Sequence, residues 1–368
     1  MLSRDRYSLI ILIEYGACRR VAAAKGDVYC MKTALITGIS GQDGSYLAEY
    51  LLDFGYKVYG LVRREADTMR FLHGVQDKVE LLYGDMRDAV SLEVAFAKAM
   101  PDEIYNLAGQ VFVPTSWHLP AETFDINVGG LARLLNMVER LKPETRVYQA
   151  SSSEMYGNLN GLRNEETPLR PTSPYGVSKT AAHNLCSVYR ARGIFVVGGI
   201  LFNHESPRRG PEMVTRKITL AAADWAQGKK NKLKLGNMQA RRDWGFAGDY
   251  IRAMHAMLQQ EKPHDFVIAT GESHSVYEFV VEVLHCLDLI PPQAEVADVV
   301  NEYVEVDPKL FRTGEIHDLR GDATLARRDL SWQPEVDFEG LVRMMVEADT
   351  GVASKGRSAK GQFVKSGA

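Results

Sequence analysis

Residues 33–44 read TALITGISGQDG, a short apolar, β-favouring run that closes on glycine and opens into a helical pattern. Few folds tolerate that join. Glycine at 38, 41 and 44 permits a tight turn and close backbone approach, so that a pyrophosphate can sit on the N-terminus of the following helix. The spacing alone is weak evidence, but between a strand and a helix it is specific. The candidate cofactor contacts in this stretch are Gly38, Ser40, Gly41, Gln42, Asp43 and Gly44.

The helical pattern runs over 45–54, with Tyr46, Leu47, Tyr50 and Leu51 on one face and Gly55 as its cap. Strand patterns at 57–62, 79–82, 103–107 and 146–150 then alternate with helical ones at 92–98 and 129–141. A helix to Arg192, a strand at 194–201, helices at 214–227 and 249–259, and a buried strand at 265–269 follow. Strands alternating with helices imply right-handed crossovers and an α/β, doubly wound parallel sheet of Rossmann type. The looser C-terminal half is expected to form a smaller α/β substrate domain. The expected boundaries are 31–205 for the dinucleotide-binding domain, with a return near 238–270, and 206–237 plus 271–350 for the substrate domain.

Composition bounds the partners. The 368 residues are 45% hydrophobic and 25% charged with a formal net charge of -3. Such a near-neutral chain gives no reason to expect nucleic acid or an anionic membrane as a partner. The four cysteines (Cys18, Cys30, Cys186, Cys286) lack metal-ligand spacing, so reduced thiols, a cytoplasmic location and no metal site are expected. The apolar run 9–13 is too short to span a bilayer and is followed by Glu14. Residues 1–30 therefore read as an extension outside the fold, with a second start at Met31. Residues 351–368, rich in Gly, Ser and Lys, read as a disordered tail.

The second strand ends Leu61-Val62-Arg63-Arg64 without an acid, which would bond a ribose 2′-hydroxyl of NAD. Arg63 and Arg64 suit the 2′-phosphate of NADP. In YGDMRD, Asp85 and Met86 stand where an adenine edge would lie; the plainer reading, compatible with that one, is that Asp85 caps the next helix. Leu107, Ala108 and Gly109 line the expected cofactor floor.

Further on, ASSSEMYG and SPYGVSK carry Ser152, Glu154, Tyr175 and Lys179. A free tyrosine ionises near pH 10, too high for a base at neutral pH. A lysine one helical turn away, together with a cationic nicotinamide, is expected to favour the phenolate. That set suffices for hydride transfer. Glu154, beside Ser152, is one proton acceptor more than a simple reductase needs.

These motifs, with GILFNHESPRRG, VTRKIT, LGNMQARRDWGFAGDY and DFVIATGESHSV, resemble the extended short-chain dehydrogenase/reductase family from Met31 to about Asp349. Within it they are similar to the GDP-mannose 4,6-dehydratases. The resemblance implies C4 oxidation of a GDP-linked hexose, C5 proton removal, loss of water at C6 and hydride return to C6. It makes Tyr175 the base for the C4 hydroxyl, Lys179 its partner, Ser152 the C4-oxygen contact and Glu154 the C5 base. His204 and Arg209 would stand near the cofactor. Ser116, Asn203, Lys217, Leu235, Gly236, Arg242 and Glu315 would face the GDP-sugar, where arginine and lysine match a diphosphate. A homodimer or homotetramer is also implied. Departures are Ser152 for the usual threonine, Gly109 and Val111 for alanine and serine, and Thr313-Gly314 for Pro-Ala. Two other readings are a dehydratase of a GDP-linked manno-heptose and a non-catalytic NADP-sensing module. Retention of both Tyr175 and Lys179 argues against the second.

Overall fold

The computed structural model describes residues 12–15, 18–22, 28–64, 71–72, 74–311 and 314–352. Its centre is a 7-stranded sheet of β1 (Thr33–Thr37), β2 (Lys57–Val62), β3 (Val79–Tyr83), β4 (Glu103–Asn106), β5 (Arg146–Ala150), β6 (Val196–Leu201) and β7 (Phe266–Ile268). The spatial order is β7-β6-β5-β4-β1-β2-β3, and every pairing is parallel. The Rossmann reading of the alternating pattern is therefore right. The order of the strands reverses between β1 and β4, so ligands are expected in the crevice beyond the carboxyl ends of these strands.

Alternate residues of each strand serve opposite faces, which is why the strands read as continuous apolar runs. Ala34, Ile36 and Tyr148 enter the core beneath α1 (Gln42–Asp53). Leu35, Ile104 and Val147 enter the other, with α2 (Ala89–Ala99), α3 (Gly130–Leu141) and α4 (Pro174–Ala191). A third core lies C-terminal, among α5 (Val214–Ala226), α7 (Val276–Cys286) and α8 (Phe338–Thr350), whereas α6 (Ala247–Leu258) packs with α1.

Some expectations need correction. The first helix begins at Gln42, because Gly41 of the glycine loop is itself its N-cap. Its C-cap is Phe54, and Gly55 follows in the left-handed region at φ +76°. The cap of α2 is Asp88, whose carboxylate accepts from the Val90 and Ser91 amides, so Asp85 is not the cap. The strands Leu12–Tyr15, Cys18–Ala22 and Val28–Cys30 form their own antiparallel sheet; the rest of 1–30 and residues 353–368 lie outside the described residues. Among the described residues no helix is long and apolar enough to cross a membrane.

Candidate active site

Where the sheet reverses, polar side chains bind the strand ends together. Thr37 Oγ1 donates to Asn106 Oδ1 at 2.7 Å and accepts the Ala108 amide at 3.1 Å. Asn106 Nδ2 in turn donates to Gln149 Oε1 at 2.6 Å. Above this floor Gly38 turns at φ +72°, and a Cβ there would meet the Ala108 backbone at 3.0 Å. A Cβ at Gly44 would come within 2.4 Å of the Gly38 carbonyl oxygen, so helix and loop pack backbone to backbone.

A cleft of about 790 Å³ opens beyond this edge. Asp43, Leu107, Ser152, Glu154, Tyr175 and Lys179 line it from the sheet side, together with Asn203, His204 and Arg209. Lys217, Leu235, Gly236, Arg242 and Glu315 line it from the C-terminal side. Of the expected contacts, Gly38, Ser40, Gly41, Gln42, Gly44, Ala108 and Gly109 are not among the residues lining this cleft, although Gly41 is exposed and its neighbour Asp43 lines it. Arg63, Arg64, Asp85 and Met86 lie off it, just past the ends of β2 and β3.

Tyr175 sits in the first turn of α4, which Ser173 caps by accepting the Gly176 amide at 3.0 Å. Lys179 lies one turn on; its ammonium donates to the Ala150 carbonyl at 2.8 Å and stands 5.8 Å from the centre of the Tyr175 ring. Burial pushes the Tyr175 phenol up to about 12, against its hydrogen bond with Ser152; the charge of Glu154 adds to the rise. Burial also pulls Lys179 down to about 8, opposed by the Asp43 charge. The expected lowering of the Tyr175 pKa is therefore absent in the protein alone, where desolvation wins. Ser152 Oγ accepts the Glu154 amide at 3.2 Å, starting a short 3-10 turn that carries Glu154 to the cleft.

Asp43 and His204 form an ion pair across the cleft wall, with Oδ2 and Nε2 2.8 Å apart. Burial works to lower the His204 pKa, but the Asp43 charge overcomes it and the net shift is upward. For Asp43 burial works to raise the pKa, and the His204 charge reverses that to a net lowering. The His204 ring also stacks on Tyr250 at 4.7 Å.

Arg242 Nη1 donates to the Arg241 and Ile316 carbonyls at 2.8 and 2.7 Å, which aims its side chain along the cleft. Glu315 accepts from Asn237 Nδ2 at 2.9 Å. Ser116, expected at the sugar, is instead fully buried: its hydroxyl donates to the Val113 carbonyl at 2.6 Å and accepts the Tyr175 amide at 3.1 Å. A methyl at Gly109 would stand 3.0 Å from Asn127 Oδ1 and 3.8 Å from the Lys179 ammonium. Asp85 is held by Arg87, whose guanidinium donates to both carboxylate oxygens at 3.0 and 2.7 Å. Thr313 lies outside the described residues. Cys186 and Cys286 are free and buried.

Residues 35–345 match the model of the family described as GDP-mannose 4,6 dehydratase. GDP-mannose 4,6 dehydratase 2 of Arabidopsis thaliana is 46% identical over 352 residues, covering 91% of this chain and 92% of its own length. The chain belongs to the GDP-mannose 4,6-dehydratase family. On that ground it is an enzyme of the nucleotide-sugar dehydratase type, a hydro-lyase. Another GDP-mannose 4,6 dehydratase, from Homo sapiens, is 44% identical over 337 residues, covering 86% of this chain and 91% of its own. Among solved structures, the UDP-glucose 4-epimerase of Thermus thermophilus, in complex with NAD, aligns with a TM-score of 0.74 at 26% identity, over 86% of this chain and 99% of that one.

Two site residues of this dehydratase-family chain escape a linear reading. Asn127 lies in a π-helical turn (Asp125–Gly129), accepts the Gln110 amide at 2.9 Å and donates to Ser178 Oγ at 3.0 Å. Its one signal is an asparagine inside a helical pattern just before paired glycines, where a π-bulge is at home. Glu205 has no sequence signal beyond its place in NHESP.

Proposed function

We propose that this protein dehydrates GDP-mannose to GDP-4-dehydro-6-deoxy-mannose with NADP as its redox cofactor. The observation that carries the reading is one cleft wall presenting Ser152, Glu154, Tyr175 and Lys179, with Lys217 and Arg242 across from it. An oxidoreductase of the sugar C4 needs Ser152, Tyr175 and Lys179; Glu154 adds the acceptor that a C5 proton requires.

The residues present fit a dinucleotide. Gly41 caps α1 without a side-chain bond, leaving the first-turn amides to an anion, and the glycine loop has no room for side chains at 38 and 44. Residues 38–44, Asp85, Met86, Leu107–Gly109, His204 and Arg209 would hold it, and Arg63 and Arg64 would meet a 2′-phosphate. When bound, the nicotinamide supplies a reversible hydride acceptor. The chain does the rest: Ser152 hydrogen-bonds the C4 oxygen, Tyr175 takes the C4 hydroxyl proton, and Lys179 stabilises the phenolate. Once C4 is a ketone, Glu154 removes the acidified C5 proton and passes it to the departing C6 hydroxyl, which leaves as water. Return to C6 of the hydride taken from C4, with a proton at C5, completes the 6-deoxy product.

The test is incubation with GDP-mannose and a catalytic amount of NADP, followed by mass. Product lighter by one water supports the reading; unchanged GDP-mannose overturns it. A homodimer or homotetramer is part of the same proposal, supported by exposed Val177 and Val188 on α4. Sedimentation as a monomer at micromolar concentration would count against it.

A further inference from the structure

Glu205 is 2% exposed, and none of the chemistry above uses it. It ends the strand Asn203–Glu205, which pairs in parallel with Trp244–Phe246. A carboxylate beside a cleft for diphosphates repels its ligands unless neighbouring groups absorb its charge. Here they do, and both lie at the same oxygen. Glu205 Oε2 is 2.9 Å from Arg209 Nε and accepts the Thr215 hydroxyl at 2.6 Å.

The two partners lead to different places. Arg209 lines the cleft beside Asp43 and His204, on the side read as the cofactor's. Thr215 is buried in the first turn of α5, and Lys217, two residues on, lines the cleft. The buried face of α5 runs through Thr215, Ile218, Thr219, Ala222 and Trp225. Pinning Thr215 therefore sets the rotation of the helix and the direction in which Lys217 points. The same short segment reaches the glycine loop: Ser206 Oγ donates to Gln42 Oε1 at 2.8 Å, and Gln42 Nε2 donates to the His204 carbonyl at 3.1 Å.

We propose that Glu205 is a positioning residue that sets, through one carboxylate oxygen, both Arg209 on the cofactor side and the Lys217 helix on the sugar-nucleotide side. The inference rests on the assignment of those two cations under the proposed function. Because one oxygen serves both, removing its charge loosens both anion sites together, whereas removing only the threonine hydroxyl loosens one.

The experiment measures dissociation constants of NADP and of GDP for the full chain by calorimetry, alongside melting temperature and GDP-mannose turnover. Glu205→Gln keeps the shape and removes the charge; both constants are expected to rise about tenfold, the scale of a close ion pair lost at Arg209 and a charge-assisted hydrogen bond lost at Thr215. Thr215→Val is expected to raise the GDP constant about threefold and leave that of NADP unchanged. A merely structural role would lower the melting temperature in both variants without this split. Wild-type constants in a folded Glu205→Gln overturn the inference, as does equal weakening of both ligands by Thr215→Val, which stays decisive should Glu205→Gln not fold. If the split is seen but the wild type leaves GDP-mannose unchanged, the Glu205 assignment stands and the dehydratase reading falls.

Discussion

Lys179 and Tyr175 are both buried, and burial penalises the ionised form of each. Lys179 loses the most: its pKa falls from 10.5 to about 8. The unfolded chain keeps that proton to about pH 10.5, whereas the folded one gives it up near 8. The resulting destabilisation is complete below pH 8 and fades as pH rises toward 10.5, and at about 1.4 kcal/mol per pKa unit its scale is about 3 kcal/mol. Lys179→Met is therefore expected to melt higher than wild type at pH 7, with a gap that narrows between pH 8 and 10. A gap independent of pH would refute this. The proposed role of Glu154 has its own residue-scale test. Glu154→Gln keeps hydrogen bonding but accepts no proton, so elimination should fall roughly a hundredfold or more. Ser152, Tyr175 and Lys179 are untouched, so NADPH absorbance should appear on mixing with GDP-mannose and persist without 6-deoxy product. Release of that product at the wild-type rate would remove Glu154 from the role.

The elements that were legible in the sequence are those whose pattern is local. β2 and β5 run over the expected residues, because an apolar run bounded by turn signals says strand whatever surrounds it. The segment 113–129 was not legible: its short helices Val113–His118 and Pro120–Phe124 run into the π-turn and are held by contacts with α4. Nor was the pairing of Asn203–Glu205 with Trp244–Phe246, since a register between segments 41 residues apart leaves no periodic trace. The site divides the same way. Tyr175 and Lys179 are legible because one helix carries both, whereas the use of the Ser116 hydroxyl to hold the Tyr175 amide depends on a contact between distant segments. At the end of β2, Arg63 and Arg64 are exposed, and Arg63 helps hold the Asp85 carboxyl below its usual range, after the larger effect of the Arg87 hydrogen bond. With two cations at the strand end, NADP should bind much more tightly than NAD. Arg64→Ala should weaken NADP by about 1.5–3 kcal/mol and leave NAD nearly unchanged. Equal affinity of the wild type for both cofactors would defeat the assignment.

At the scale of the whole molecule, the cleft exists only while the C-terminal core is held against the carboxyl edge of the sheet. Asp243 is central to that join. It is fully buried, one residue beyond the strand Arg241–Arg242 that carries the cleft arginine. Its Oδ1 accepts the Thr270 amide at 2.8 Å and the Thr270 hydroxyl at 2.7 Å, just after β7. Its Oδ2 accepts the Gly271 amide at 2.9 Å and the Gly321 amide at 3.2 Å, the latter beside the bridge from Gly321 to Arg163. One carboxylate thus ties three stretches of chain that are distant in sequence and that pair beside it as the small sheet of Arg241–Arg242 with His274–Ser275 and Asp318–Leu319. Both oxygens face donors, so an asparagine cannot replace it: whichever way the amide turns, its NH2 confronts backbone N–H groups. Leaving such buried donors unmet costs about 1–3 kcal/mol each. Asp243→Asn should therefore lose about 2–4 kcal/mol, seen as a lower urea midpoint with an unchanged slope, because the surface exposed on unfolding is the same. Arg242 is the residue before it, so GDP affinity should fall with it at temperatures well below the melt. An unaltered midpoint would mean that other contacts hold the two parts together and that Asp243 only fills space.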